Sequence, residues 1–295
     1  MGKGMDVERF EGMFPPMIVP FNRDETIDEQ AFRDEVRYLL STDVDGISSG
    51  GSTGEGALLS DKELLRCLEM IREENREGKP LVAGIIRNST REVIRAAMDA
   101  KSVGVDALLI TPVYYHGATA DGNYEFFRDI ADRVQLPIII YNVVPTNIIT
   151  PEQFLRIAEI NEVIGIKQVD PVKLAEIASQ CPGNRRVWAA CDQMLYSCYV
   201  AGASGAISAL VTIAPELCAK QWKAYRVGDQ TTAMHIQKIL SPIVTLYLER
   251  PYPGKVKELI HLQGRKAGVA RKPTLPSSSE TIAAMQSALK NAGLL

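Results

Sequence analysis

Between residues 13 and 210 the chain alternates short apolar runs with segments of helical periodicity, and this alternation restricts the fold more than any other feature. Eight such runs occupy residues 13–20, 46–50, 81–86, 107–111, 138–141, 163–169, 187–190 and 205–210. Several are almost continuously apolar rather than alternating, which suits strands of a parallel sheet covered on both faces. The intervening segments open with helix-start chemistry. Ser60-Asp61-Lys62-Glu63 and Ser89-Thr90-Arg91-Glu92 fit the capping box. Thr150-Pro151-Glu152-Gln153 does the same with proline at the first helical position, and Asp170-Pro171 repeats the cap-plus-proline signal. Leu64, Leu68 and Ile71 recur at helical spacing. About eight strand–helix units with short connections predict an α/β fold, a (β/α)8 TIM barrel. A doubly wound open sheet would carry a glycine-rich fingerprint after its first strand, and Val19-Pro20-Phe21-Asn22-Arg23 is not one. Beyond about residue 213 the strand-like runs stop, and helices are predicted near 213–228, 231–250, 255–267 and 278–292. Residues 10–230 therefore read as the barrel, and residues 231–295 as a C-terminal helical extension of the same domain.

The sixth run, Val163 to Val169, contains Lys167. Burial disfavours the ammonium form of a lysine, and an uncharged amine condenses with a ketone to form a Schiff base. The alternative is a lysine at the strand mouth that reaches water or pairs with a carboxylate. Barrel active sites lie at the C-terminal ends of the strands, so the residues following each run matter. After the second comes Gly50-Gly51-Ser52-Thr53-Gly54-Glu55-Gly56, whose glycines permit a tight turn with amides available to an anion. It lacks the Gly-Lys-Ser/Thr ending of a nucleotide triphosphate loop, so a small carboxylate suits it better; a turn with no ligand is the alternative. After the fourth comes Thr111-Pro112-Val113-Tyr114-Tyr115-His116, and after the fifth Tyr141-Asn142-Val143-Val144-Pro145. The tyrosines are either packing residues or, beside a buried lysine, a proton relay.

Composition excludes several classes. The chain has 295 residues and a net charge of −3 with acids and bases interspersed, so it carries no basic footprint for nucleic acid. No apolar run reaches membrane-spanning length. Five cysteines, an odd number with no CxxC spacing, and an N-terminus without a leader pattern read as reduced thiols in a cytoplasmic protein. His116, His235 and His261 are far apart, so no metal is expected.

Taken together, Gly51-Ser52-Thr53-Gly54-Glu55, Thr111-Pro112 with Tyr114, Tyr141-Asn142-Val143, Gly165-Ile166-Lys167, Gly205-Ala206-Ile207-Ser208 and Pro251-Tyr252-Pro253-Gly254-Lys255 resemble one family. It is the class I pyruvate-dependent lyases that include dihydrodipicolinate synthase and N-acetylneuraminate lyase, and the resemblance covers nearly the whole chain. It implies that Lys167 forms a Schiff base with pyruvate or another 2-keto acid and that Tyr141 shuttles protons. By the same resemblance Ser52, Thr53 and the loop amides around Gly54 bind the keto-acid carboxylate, with Ser52 also in the hydroxyl relay. Ile207 lines the pocket against the pyruvate methyl. Tyr114 matches a relay tyrosine that reaches in from a neighbouring subunit, which implies a homotetramer or homodimer. The second substrate would be an aldehyde, and neither metal nor organic cofactor is implied.

The chain departs from both named branches. The synthase branch places Ser-Arg-Thr-Gly after Tyr-Asn-Val-Pro, its arginine gripping the second substrate's carboxylate. Here Tyr141-Asn142-Val143-Val144-Pro145-Thr146-Asn147 has no arginine, and a bidentate contact of that kind is hard to replace. The sialic-acid branch carries Thr-Ser-Gly-Asp and Gly-Tyr-Asp-Glu runs where this chain has Val169-Asp170-Pro171 and Ala190-Cys191-Asp192-Gln193. The second substrate therefore stays open among 4-hydroxy-tetrahydrodipicolinate synthase chemistry, N-acetylneuraminate lysis and 2-keto-3-deoxy sugar acid aldolase or dehydratase chemistry. A catalytically inactive 2-keto acid-binding barrel is the non-enzymatic alternative.

Overall fold

The computed structural model of the chain describes residues 6–249 and 251–295; the leader-free reading of Met1 to Met5 lies outside them. Eight strands form one parallel sheet: β1 Gly12–Phe14, β2 Ile47–Ser49, β3 Leu81–Ile85, β4 Ala107–Ile110, β5 Ile138–Asn142, β6 Val163–Gln168, β7 Arg186–Ala189 and β8 Gly205–Ile207. Consecutive strands pair from β2 to β8, and β8 pairs back onto β1. The seam between β1 and β2 is closed by a single parallel bridge, Pro16 to Ser48, with the Met17 amide donating to Ser48 O at 2.7 Å. The first apolar run thus yields a strand of only three residues. Pro15 and Pro16 have no N–H to continue the ladder. The rest of that run is buried without forming a regular strand. Helices alternate with the strands, so the fold is a (β/α)8 TIM barrel.

Alternation along each strand divides the core in two. Leu108, Ile110, Ile138 and Ile140 face outward and join the large cluster packed under the helices. Leu109, Ile139, Ile164, Trp188 and Ile207 face inward and fill the ring with Phe14. The 3-10 turn Glu8–Phe10 brings Phe10 to this inner cluster, where the Trp188 indole Nε1 donates to Phe10 O at 2.7 Å. Trp188 pairs in register with Lys167 of β6, and its ring fits because it reaches back over Gly165. A Cβ there would stand 1.9 Å from Arg186 O and 2.8 Å from the Trp188 ring.

The predicted helix caps form at Ser60, Ser89, Thr150 and Asp170. The reciprocal bond of a full capping box is present at Ser60. At Ser89 the Glu92 carboxylate takes its bond from the serine hydroxyl instead, and at Thr150 the cap accepts from the Gln153 amide beside a proline at the first turn. After β8, helices Ala209–Ile213, Pro215–Arg226, Gln230–Tyr247, Gly254–Leu262 and Ser279–Asn291 complete the chain. Among the described residues no helix is long and apolar enough to cross a membrane. Two ion pairs tie the last segment to the region after β2: Lys257 with Glu55 at 2.5 Å, both side chains 2% exposed, and Arg271 with Glu63.

Candidate active site

The C-terminal ends of the strands bring most of the singled-out residues together. β5 and β6 run in register with Tyr141 beside Lys167, so both side chains project inward at the same level. Lys167 is buried, 5% exposed, and its Nζ lies 4.0 Å from the centroid of the Tyr141 ring. The Tyr141 hydroxyl donates to Ser52 Oγ at 3.1 Å. Ser52 and Thr53 begin the 3-10 turn Ser52–Gly54 that follows β2. Thr53 is buried, and its Oγ1 shares a 2.7 Å hydrogen bond with the hydroxyl of Tyr252. Ile207, at the end of β8, is fully buried in the inner cluster.

The turn satisfies three amides with its own carbonyls. Gly54 N donates to Gly51 O at 3.1 Å, Glu55 N to Ser52 O at 3.1 Å and Gly56 N to Gly51 O at 3.0 Å. Among the described residues the amides of Ser52 and Thr53 have no such acceptor, which leaves two donors and two hydroxyls for an anion. Gly54 contributes space instead, since a Cβ there would sit 2.7 Å from Met17 O. Glu55 leaves the turn in the left-handed region, φ 55°, fixed by its bonds to Lys257 Nζ and to the Arg271 amide at 2.9 Å.

Tyr114 is placed apart from this group. Its ring is 36% exposed, its amide donates to Asn88 Oδ1 at 3.0 Å and its carbonyl accepts from Thr146 Oγ1 at 2.5 Å. Within one subunit, and among the described residues, its hydroxyl bonds to nothing. It does line a cavity of about 280 Å³ together with Ser52, Thr111, Val143, Val144 and Tyr252. Lys167, Tyr141, Thr53 and Ile207 do not line this cavity; Ser52 is the residue shared between it and the lysine–tyrosine pair.

Two groups were visible in the sequence without their partners. Tyr252, the partner of Thr53, comes from the C-terminal extension, and burial pushes its phenol well above the ordinary value, so it stays a hydrogen-bond donor. Pro251-Tyr252-Pro253-Gly254 was visible as a motif, but not its destination. The second group is Asp192, which accepts from Ser208 Oγ and from the hydroxyl of Tyr247 on the helix Gln230–Tyr247. Burial raises the Asp192 carboxyl; Ser208, Tyr247 and the nearby Lys167 oppose the rise. Chemically, the assembly is an amine against a phenol, a phenol–hydroxyl relay and an anion-receptive turn.

Comparison with known proteins identifies the family. The sequence profile of the Dihydrodipicolinate synthetase family matches residues 9–292. The 4-hydroxy-tetrahydrodipicolinate synthase of Bradyrhizobium diazoefficiens is 31% identical over 291 residues, 97% of this chain and 98% of the relative. That of Methanopyrus kandleri is 30% identical over 294 residues, again 97% and 98%. Among solved structures, the chloride-inhibited dihydrodipicolinate synthase from Acinetobacter baumannii complexed with pyruvate superposes with a TM-score of 0.92 at 27% identity, covering 97% of this chain and 99% of that one. A prophage protein of the dihydrodipicolinic acid synthase family from E. coli K12, in complex with pyruvate, gives 0.91 at 26% identity with the same coverage. The chain belongs to the dihydrodipicolinate synthetase family of pyruvate-dependent class I lyases.

Proposed function

We propose that Lys167 is the Schiff-base nucleophile of a lyase acting on pyruvate or a closely related 2-keto acid. One observation carries the reading. Among the described residues two lysines are buried, Lys167 and Lys257, and they are treated differently. Lys257 is neutralised by Glu55 at 2.5 Å, as a structural buried lysine should be. Lys167 has no carboxylate within ion-pair distance among the described residues and faces the Tyr141 ring instead. A buried amine with no carboxylate in contact, set against a phenol, suits a group that forms and breaks a covalent bond.

The Lys167 amine attacks the keto carbon, and the carbinolamine loses water to give a protonated imine. That imine withdraws electrons from C3, whose proton departs to leave an enamine. The enamine adds to an aldehyde, or is the product of the reverse cleavage. Tyr141 carries protons to and from these intermediates through Ser52. The hydroxyls and amides of Ser52 and Thr53 hold the keto-acid carboxylate, with Tyr252 fixing the Thr53 hydroxyl. Ile207 packs against the methyl group. Tyr114, exposed in one subunit, completes the relay of a neighbouring copy in a homotetramer or homodimer, and the enzyme works in the cytoplasm. Incubation with pyruvate and borohydride tests the assignment. Lys167 alone gains the reduced pyruvyl adduct, activity is lost, and Lys167→Ala shows neither adduct nor turnover. An unlabelled Lys167, or labelling of another lysine, sinks it.

A further inference from the structure

The cavity beside Ser52 has a different chemistry from the turn that receives a carboxylate. Its walls are apolar at Leu58, Ile86, Val143, Val144 and Pro253, and its uncharged polar side chains are hydroxyls, from Ser52, Thr111, Tyr114, Tyr252 and Thr274. Glu55 is the one charged residue among the described lining residues, and its two oxygens are occupied by Lys257 Nζ and the Arg271 amide.

Two arginines touch the segments that form the walls, and both are fully engaged elsewhere. Arg87 bonds the Asp61 carboxylate and the carbonyls of Gly56, Ile86 and Leu59. Arg271 bonds Glu63 and the carbonyls of Glu25 and Leu58. Past β5, the hydroxyl of Thr146 is turned onto the Tyr114 carbonyl. Among the described residues no cation lines this cavity to meet an entering carboxylate, and giving up hydration without a counter-charge is costly. A long polyol would leave most of its hydroxyls against aliphatic walls. The volume, about 280 Å³, falls just below the range of about 300–1,000 Å³ usual for drug-sized ligands.

Resting on the Schiff-base reading above, we propose that the acceptor is a small, uncharged aldehyde with an apolar or aromatic body. The enamine C3 forms a bond to the aldehyde carbon while the carbonyl π pair moves to oxygen. That oxygen takes up the proton lost earlier from C3. Water then cleaves the imine, returning the Lys167 amine and releasing a 4-hydroxy-2-keto acid whose atoms are those of pyruvate plus the aldehyde.

The test is a kcat/KM comparison with pyruvate and three classes of aldehyde. Isobutyraldehyde and benzaldehyde represent the uncharged class, succinic and aspartate semialdehydes the carboxylated class, and glyceraldehyde and erythrose the hydroxylated class. The uncharged class leads by at least about tenfold. Leu58→Arg places a cation on the wall at a half-exposed position, so the chain still folds, as retained borohydride trapping of pyruvate verifies. It raises kcat/KM for succinic semialdehyde by about tenfold relative to isobutyraldehyde. If either carboxylated or hydroxylated aldehydes lead while Lys167 is still trapped, the acceptor assignment is overturned and the Schiff-base reading stands. The same holds if Leu58→Arg leaves the ratio unchanged, or if pyruvate is trapped and no aldehyde is used. Failure of trapping at Lys167 overturns both.

Discussion

Replacing Lys257 by methionine removes a charge from a pair that water barely reaches. The methionine keeps most of the length and volume of the lysine stem. Lost are the 2.5 Å bond to Glu55 Oε1, the 2.7 Å bond to Val269 O and the ammonium stacked 4.4 Å from the Phe21 centroid. Burial pulls the Lys257 ammonium below its ordinary range against the attraction of Glu55, so the pair does not stabilise the fold by its full Coulomb energy. Breaking it is another matter, since the Glu55 carboxylate then stays buried with only the Arg271 amide. Orphaning one member of a buried pair costs about 3–5 kcal/mol. At roughly 2.1 cal/mol/K per residue, a chain of this length unfolds with an entropy near 0.6 kcal/mol/K, so Tm falls by about 5–8 °C. Scanning calorimetry on wild type, Lys257→Met and the double variant Lys257→Met/Glu55→Gln measures this. The double variant lies closer to wild type than the single one, because the unpaired charge is gone. A single variant within about 2 °C of wild type, or a double variant no better than the single, refutes the reasoning.

Three further outcomes follow from the geometry. Tyr141→Phe keeps the ring against Lys167 but deletes the bond to Ser52, so kcat falls about 10²–10⁴-fold while borohydride still traps pyruvate; wild-type kcat in a turnover assay would remove Tyr141 from the relay. Burial outweighs Arg265 and pushes the Glu35 carboxyl up to about 6. The folded state therefore holds this proton more tightly than the unfolded chain, and stability drops by about 2 kcal/mol as pH rises from about 4.5 to about 6. Urea titrations across that interval show the drop in wild type and lose it in Glu35→Gln, and equal slopes would contradict the shift. Gly165→Ala drives a Cβ into the Arg186 carbonyl, at a cost of more than about 3 kcal/mol, so a soluble variant with wild-type Tm would show that β6 and β7 can yield there.

The barrel could be read from the chain because each parallel strand is covered on both faces, which writes itself locally as an apolar run closed by a capped helix. Lys167 stood out for the same reason, a cation inside a stretch such as Ile164-Gly165-Ile166. The tyrosine and hydroxyl positions followed from knowing which strand ends share a rim. What stayed hidden depends on closure. Trp188 meets the Phe10 carbonyl 178 positions away, and nothing near either residue announces the other. Asp192 could be placed by sequence only against the Gly-Tyr-Asp-Glu run of the sialic-acid branch, and its partners Ser208 and Tyr247 appear only on closure. Gly54 looked like an anion-facing amide, yet its N–H turns back onto the Gly51 carbonyl within the turn.

Thr53 and Tyr252 lie 199 positions apart, and that separation sets an order of events during synthesis. The turn leaves the ribosome when most of the barrel is still untranslated, and domains begin to organise from the N-terminal side. The phenol that steadies the threonine arrives only with the last fifth of the polypeptide. A fragment stopping before that point carries Lys167, Tyr141 and Ser52 but leaves the Thr53 hydroxyl untethered, so competence is the final property the nascent chain acquires.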